Sequence, residues 1–390
     1  MSVTAPRGFT AHGLACGIKP SGDPDLALVA TTDGAPVAAA AVFTQNRMTA
    51  PPVVASAAHL ALSGGRAAAV VLNSGCANAA TGSQGMADAE EMTALVAAEL
   101  GCRSEEVLVC STGLIGFELP MEAIRSGVGP LVSGRGADAE AGRRAAEAIR
   151  TTDTCRKETL VQREGFTVGG MAKGAAMLAP NMATMLAVLT TDAEVEPERL
   201  AEVLRAGVAE SFNAISVDGC TSTNDTVILL ASGAAGPPAD DRAFAEAVAA
   251  ACLALAEQMV GDAEGHTKVV TVEVTGALSD DEARAGARRV AESQLVKCSW
   301  YGQDPYWGRV ASELGSAGIA FEADKVSVRY GDHVVARDGV TAPVDEAALA
   351  AYMGGEHLHV VANLGLGDGR ARILTNDLTH AYVDENMGTS

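Results

Sequence analysis

Strand-like and helix-like segments alternate along the whole 390-residue chain, and that alternation predicts a mixed α/β fold. Two further observations agree with it. Hydrophobic residues make up 48% of the chain and charged residues 20%, as in ordinary globular proteins. Aromatic residues are only 4%, so Ala, Val and Leu must fill the interior. A chain of this length buries a large core and divides into two or three domains.

In chain order, "RAAAVVLN" (66–73) reads as a buried strand, and "GMADAEEMTALVAAELG" (85–101) as an amphipathic helix closed by Gly. "EEVLVCSTG" (105–113) is a short strand running into a turn, and "ADAEAGRRAAEAIRTTD" (137–153) a helix. Strands follow at 158–162 and 166–171, and then an apolar run around Thr184, "LAPNMATMLAVLTTD" (178–192). Segments 196–212 and 241–265 carry the i, i+3, i+4 apolar spacing of helices packed on one face. "TKVVTVEVTGA" (267–277) alternates as a half-buried strand. The remainder predicts a helix near 280–292, strands near 325–337, a short helix near 345–353, and strands at 357–364 and 370–375. A domain boundary is expected where "GALSDDEARAG" resets the pattern, giving a large domain over 1–275 and a smaller α/β domain over 276–390.

The formal net charge of −21 excludes nucleic acid as a partner, because no basic stripe offsets the repulsion. It is compatible with a cationic, amine-bearing small molecule. The start, "MSVTAPRGFTAHG", lacks a charged region followed by an apolar one, and no uncharged apolar stretch reaches membrane-span length. A cytoplasmic protein is expected. The eight scattered cysteines form no C-x-x-C pair, which predicts reduced and mostly buried thiols. Cys76 and Cys110 lie in Gly-rich segments, yet they read better as small buried hydrophobes than as nucleophiles.

Two motifs are less than they look. "NLGLGDGR" (363–370) is rich in glycine, but no helix follows it, so a hairpin turn fits better than a dinucleotide-binding loop. "HLH" (357–359) places two His on one strand face without a third ligand cluster, so no metal site is expected.

Four polar segments, three of them containing Gly, interrupt the strand pattern: "NSGCANAATG" (73–82), "CSTGLIG" (110–116), "TTDTCRK" (151–157) and "MAKGAAMLAPNMATML" (171–186). A Gly beside a hydroxyl, as in Thr112-Gly113, offers a backbone N–H next to a side-chain O–H, a pair suited to a developing oxyanion. Taken singly, each segment is more often a turn than a site, and a lone Thr in an apolar strand is usually structural.

Together with "DGCTSTNDT" (218–226), "DAEG" and "TK" (262–268), and "AYVDEN" (381–386), these segments resemble the ornithine acetyltransferase family in order and approximate spacing over essentially the whole chain. "KGAAMLAPNMATML" resembles the family's self-cleaving segment. The resemblance implies a layered α-β-β-α sandwich of the kind shared with N-terminal-nucleophile aminopeptidases. It implies cleavage between Ala183 and Thr184 into chains 1–183 and 184–390, which stay associated as two α and two β chains. Thr184 would then be the nucleophile, with Thr112 and Gly113 as the oxyanion hole. Thr151, Lys173, Thr184, Glu264, Asn386 and the C-terminal Ser390 would bind substrate. The implied reaction is a ping-pong transfer of acetyl from N²-acetylornithine to glutamate, without metal or organic cofactor. Some members also take acetyl from acetyl-CoA.

The chain departs from the family pattern in four places. "DPYWGR" (304–309) has Tyr306 where Asn is usual, and the tail "NMGTS" is one residue short, which leaves open whether Thr389 or Ser390 reaches the site. Cys155 and Cys298 stand where bulkier or hydroxyl residues are more usual. These changes keep open a paralogue with a modified acyl acceptor. An aminopeptidase or amidase, in which water takes the acyl group, stays open as a second function, whereas a binding protein without catalysis is disfavoured because Thr184, Thr112, Gly113 and Lys173 are all present.

Overall fold

The computed structural model describes residues 2–177 and 185–388, so Ala183, Thr184, Thr389 and Ser390 lie outside the described residues. The chain forms two compact units. The first runs to Asn213 and takes in Cys220–Met259, and the second holds Ala214–Gly219 and the chain from Val260.

In the first unit the order is β1 (Phe9–Leu14), β2 (Leu26–Thr31), β3 (Val37–Phe43), α1 (Pro51–Leu62), β4 (Arg66–Ala67), β5 (Ala69–Cys76), α2 (Gly82–Leu100), β6 (Val107–Leu114), α3 (Met121–Ser133) and α4 (Ala139–Ala148). It continues with β7 (Lys157–Arg163), β8 (Phe166–Lys173), β9 (Leu186–Ala193), α5 (Pro197–Ala209), β10 (Thr226–Gly236) and α6 (Asp241–Val260). The strands form one sheet ordered β1-β2-β5-β6 and another ordered β4-β3-β10-β9-β8-β7.

Because strand side chains alternate between faces, each sheet sorts its apolar residues into two sets. Phe9, Val29, Leu72, Leu108 and Cys110 of the first sheet meet Met171, Leu186, Val188, Ile228 and Leu230 of the second in one core. The first sheet's other face, through Leu28, Val71 and Val109, packs on Met92 and Val96 of α2 and Ile124 and Leu131 of α3. Over the second sheet, Gly207 of α5 lies against Ala249 and Cys252 of α6, and Phe166 of β8 meets Phe244 of α6 edge to face at 5.6 Å. The layers are therefore α-β-β-α, as the resemblance implied. Helix α6 has the length and apolar content to cross a membrane, but half of its most apolar stretch is buried inside the protein.

The second unit continues with β11 (Val269–Ala277), α7 (Asp280–Glu292), α8 (Gln294–Tyr301), α9 (Trp307–Ser316), β12 (Ser327–Tyr330), β13 (His333–Arg337), β14 (Val340–Thr341), α10 (Glu346–Met353), β15 (His357–Asn363), β16 (Gly369–Asn376) and α11 (His380–Glu385). Its sheet runs β14-β13-β12-β15-β11-β16. Val270, Val272 and Val274 of β11 pack with Ala283, Ala287 and Val290 of α7, and Trp300 completes that core. Helix α7 starts where the Ser279 side chain accepts from the Glu282 amide, with Asp280, Asp281 and Glu282 in its first turn favouring the positive helix end.

Several expectations change. The division falls ahead of the 276–280 break read from the sequence, because β11 pairs with both β15 and β16 and so belongs to the second unit. For the same reason "GLGDGR" is not a hairpin: β15 runs parallel and β16 antiparallel to β11, which lies between them. "CSTGL" continues strand β6 instead of turning. Helix α4 stops at Ala148, whose carbonyl accepts from the Ser74 hydroxyl at 2.6 Å, so residues 149–153 are not helical. The thiols are not mostly buried. Cys76, Cys110 and Cys252 are, whereas Cys155, Cys220 and Cys298 are exposed and Cys16 and Cys102 partly so. Cys155 and Cys220 lie in polar loops that offer them no apolar cover.

Candidate functional site

Strand β6 ends in Thr112, Gly113 and Leu114, and its parallel pairing with β5 shifts register at Gly75 and Cys76. Gly113 has φ +126°, and a Cβ there would lie 2.3 Å from the Gly75 carbonyl carbon. Only glycine fits this close approach. The strand thus delivers a hydroxyl and a glycine amide side by side, as their adjacency in the sequence suggested. Cys110 and Cys76 are poor nucleophiles: full burial pushes the Cys110 thiol up to about 12, and burial also raises that of Cys76.

Thr112 is buried, and its Oγ1 accepts from Lys173 Nζ at 3.2 Å. Lys173 ends β8, so this bond joins the two sheets of the first unit. An ammonium has no acceptor, so Thr112 Oγ1 must be the acceptor in this contact. Its own O–H proton is left to donate elsewhere, polarised by the neighbouring cation.

Lys173 belongs to a buried charged cluster that sequence reasoning missed. Asp153 Oδ1 accepts from Lys157 Nζ at 2.6 Å and from the Gly174 amide at 2.7 Å, while Oδ2 accepts from the Thr151 amide at 3.1 Å. Burial works against the Asp153 carboxylate, but the ammonium groups of Lys173 and Lys157 outweigh it and hold the carboxyl down at about 2. Asp153 therefore ties the backbone at Thr151 to the turn after Lys173. The signal was present in "TTDTCRK", where Asp153 and Lys157 stand four apart, but that spacing points to a helical pair rather than to this loop-and-strand one.

In the second unit, Asn386 Nδ2 donates to Glu264 Oε2 at 2.9 Å and to the Tyr382 carbonyl at 2.9 Å. The loop carrying Glu264 is held by Asp377, whose Oδ1 accepts from the Thr267 amide at 2.9 Å and the Lys268 amide at 3.0 Å. At Gly265 (φ +61°) an added Cβ would sit 2.2 Å from the Tyr382 nitrogen, so the loop lies directly on α11. Asp218, Glu264, Glu292, Lys297, Asp377 and Tyr382 line a cavity of about 120 Å³. Lys297 is buried there, donating to the Val217 and Asn376 carbonyls and the Thr375 hydroxyl. Desolvation draws it down to about 8 against the pull of Asp218, Asp377 and Glu292.

The structure thus brings Thr112 to Lys173, ties Thr151 to the same cluster, and brings Glu264 to Asn386. Ala183, Thr184 and Ser390 lie outside the described residues. Tyr306 is exposed at the start of α9, and His359 of "HLH" pairs with Glu273 at 2.8 Å as an ordinary strand contact. Among the described residues no His, Cys, Asp and Glu group could hold a metal ion.

The chain is similar to known proteins over its whole length. The ArgJ family model matches residues 10–388. The arginine biosynthesis bifunctional protein ArgJ of Streptomyces coelicolor is 48% identical over 390 residues, which is all of both chains. The protein of that name from Mycobacterium tuberculosis is 47% identical over 394 residues, covering all of this chain and 96% of its own. A solved structure, the ornithine acetyltransferase of Mycobacterium tuberculosis complexed with ornithine, is 46% identical, covers 46% of this chain and 94% of its own, and has a TM-score of 0.44. The chain belongs to the ArgJ family.

Proposed function

We propose that this chain is a self-processing acetyltransferase of arginine biosynthesis, moving acetyl from N²-acetylornithine to glutamate through an ester on Thr184. Beyond family membership, the observation that carries the reading is the Thr112–Lys173 pair beside Gly113. It leaves a polarised O–H and a glycine amide at one strand end, the donor pair that acyl transfer needs for its oxyanion.

In self-processing, the Thr184 hydroxyl adds to the Ala183 carbonyl carbon. The Ala183–Thr184 C–N bond breaks, the hydroxyl proton passes to the departing nitrogen, and an ester forms. Water then hydrolyses the ester, giving a new carboxylate at Ala183 and a free hydroxyl and α-amine at Thr184. That amine, with an intrinsic pKa of about 7.7–8.0, is a far better general base near neutral pH than a lysine at about 10.4. In turnover the amine takes the hydroxyl proton as Oγ adds to the acetyl carbon of the donor, and gives it to the departing ornithine nitrogen. Glutamate's amine next adds to the acetyl ester and restores the hydroxyl.

Lys173 and Thr151 serve the substrate's carboxylate side, Glu264 and Asn386 its amine or amide side, with Ser390 completing the contact set. The chemistry calls for no metal or organic cofactor, and acetyl-CoA is a second donor to be tested. Two α and two β chains in the cytoplasm complete the reading.

Purified protein should run on a denaturing gel as two bands near half size, and Thr184→Ala should stay a single chain without transfer activity. Wild-type protein that stays single would overturn the self-processing claim. Acetate released from N²-acetylornithine without transfer to added glutamate would favour an amidase instead.

A further inference from the structure

The corner that opens β10 holds two adjacent side chains aimed at different parts of the catalytic frame. Asn224 is buried, and its Nδ2 donates to the Ala77 carbonyl at 2.6 Å and to the Ser111 carbonyl at 2.9 Å. Its Oδ1 is occupied in turn by the Thr223 hydroxyl at 2.6 Å. Ser111 immediately precedes Thr112, so the amide grips the strand end that presents the oxyanion-hole pair. Asp225 is fully buried, and its Oδ1 accepts from the Met185 amide at 2.9 Å. That N–H belongs to the peptide bond joining Thr184 to Met185. The backbone reinforces the corner, with the Thr226 amide donating to the Met185 carbonyl at 3.2 Å and the Thr44 amide to the Asp225 carbonyl at 2.9 Å.

We propose that Asn224 and Asp225 are positioning residues for acyl transfer, one fixing the strand that carries Thr112 and Gly113, the other the peptide unit that follows Thr184. The proposal rests on the reading of Thr184 as nucleophile. Its physical ground is the steep dependence of acyl transfer on alignment: a displacement of about 1 Å costs on the order of 100-fold in rate. Two neighbouring residues of one corner thus hold the strand end at Ser111 and the amide of Met185. Oδ2 of Asp225 is buried without a hydrogen-bond partner among the described residues. Burial pushes the carboxyl well above the usual carboxylate range, against the opposing pull of the Met185 amide and the Lys173 charge. An asparagine keeps the side chain's shape and the acceptor oxygen that holds the Met185 amide.

The test follows from that shape. Self-cleavage of freshly synthesised precursor and steady-state transfer by matured enzyme are measured for Asp225→Asn, Asp225→Ala and Asn224→Ser, with thermal unfolding recorded for each. Asp225→Ala should slow both reactions about 100-fold in rate or kcat while KM for the donor stays within about twofold. Asp225→Asn, which keeps an acceptor oxygen, should restore both to within about tenfold of wild type. Asn224→Ser should also lower kcat without raising KM, and it decides the matter if Asp225→Ala does not fold. Wild-type rates in Asp225→Ala or Asn224→Ser would overturn the proposal, as would Asp225→Asn no better than Asp225→Ala, or losses confined to KM. Thr184→Ala in parallel separates the two readings: if that variant still cleaves itself, the nucleophile assignment fails, whereas normal cleavage in the corner variants alone defeats only the positioning role.

Discussion

Replacing Asp153 by Asn removes one charge from the centre of the buried cluster and leaves its volume almost unchanged. A carboxyl held at about 2 instead of its ordinary 3.8 contributes about 2 kcal/mol of folding stability, at 1.36 kcal/mol per pH unit. Stranding one partner of a buried ion pair costs about 3–5 kcal/mol in general. The Asn oxygen can still accept from the Gly174 amide, so the lower part of that combined range applies, about 2–4 kcal/mol at pH 7. The sign with pH follows from the direction of the shift. A depressed carboxyl contributes its full stability above the unfolded-state value near 4 and loses it as pH falls toward 2. The gap between wild type and Asp153→Asn in urea unfolding should therefore shrink by about 1 kcal/mol from pH 7 to pH 3. A gap under about 1 kcal/mol at pH 7, or one that does not change with pH, would refute the assignment of Asp153 as the ionised partner of Lys157 and Lys173.

Thr112→Val keeps the shape of the side chain but removes both the acceptor for Lys173 and the proposed oxyanion donor; kcat for acetyl transfer should fall about 10²–10³-fold with KM little changed, while Thr112→Ser should recover most of the loss. Asn386→Ala releases Glu264, and Asp377→Asn loosens the loop that carries it; both should raise KM for the acetyl donor more than they lower kcat, and equal effects on the two parameters would count against a binding role. Under native conditions iodoacetamide, read by mass spectrometry, should label Cys155, Cys220 and Cys298 and spare Cys110 and Cys252, whose thiols burial pushes up to about 12.

Local periodicity carried most of the fold. The strands at 158–162, 166–171 and 267–277 and the helices at 196–212 and 280–292 correspond to β7, β8, β11, α5 and α7, because each sorts its apolar residues to one face at the period of its own element. Three misreadings share one cause, a partner distant in sequence. "CSTGL" looks like a turn until β5 is laid beside it, with Gly75 leaving room for Gly113. The end of α4 is set by Ser74, more than seventy residues away. Strands β15 and β16 look like a hairpin only while β11 is out of view. Helix α3 carries Pro130 in its interior, a feature that usually marks a helix stop.

The site was legible as a set of motifs but not as an electrostatic arrangement, and Asp153 and Asp225 show why. Both are buried aspartates in short polar segments, both accept a backbone amide, and both feel the charge of Lys173. Nothing in "TTDT" or "TNDT" separates them. What separates them is Lys157, brought by β7 to 2.6 Å from Asp153, with no second ammonium among the described residues acting on Asp225. One added cation outweighs the cost of burial and draws the Asp153 carboxyl down; without it, desolvation prevails and draws the Asp225 carboxyl up. The strand pairing β7-β8-β9-β10 thus shifts two residues of the same type in opposite directions. The ionised one holds Lys173 in place by charge. The other holds the Met185 amide while its burial disfavours a second negative charge in the same core.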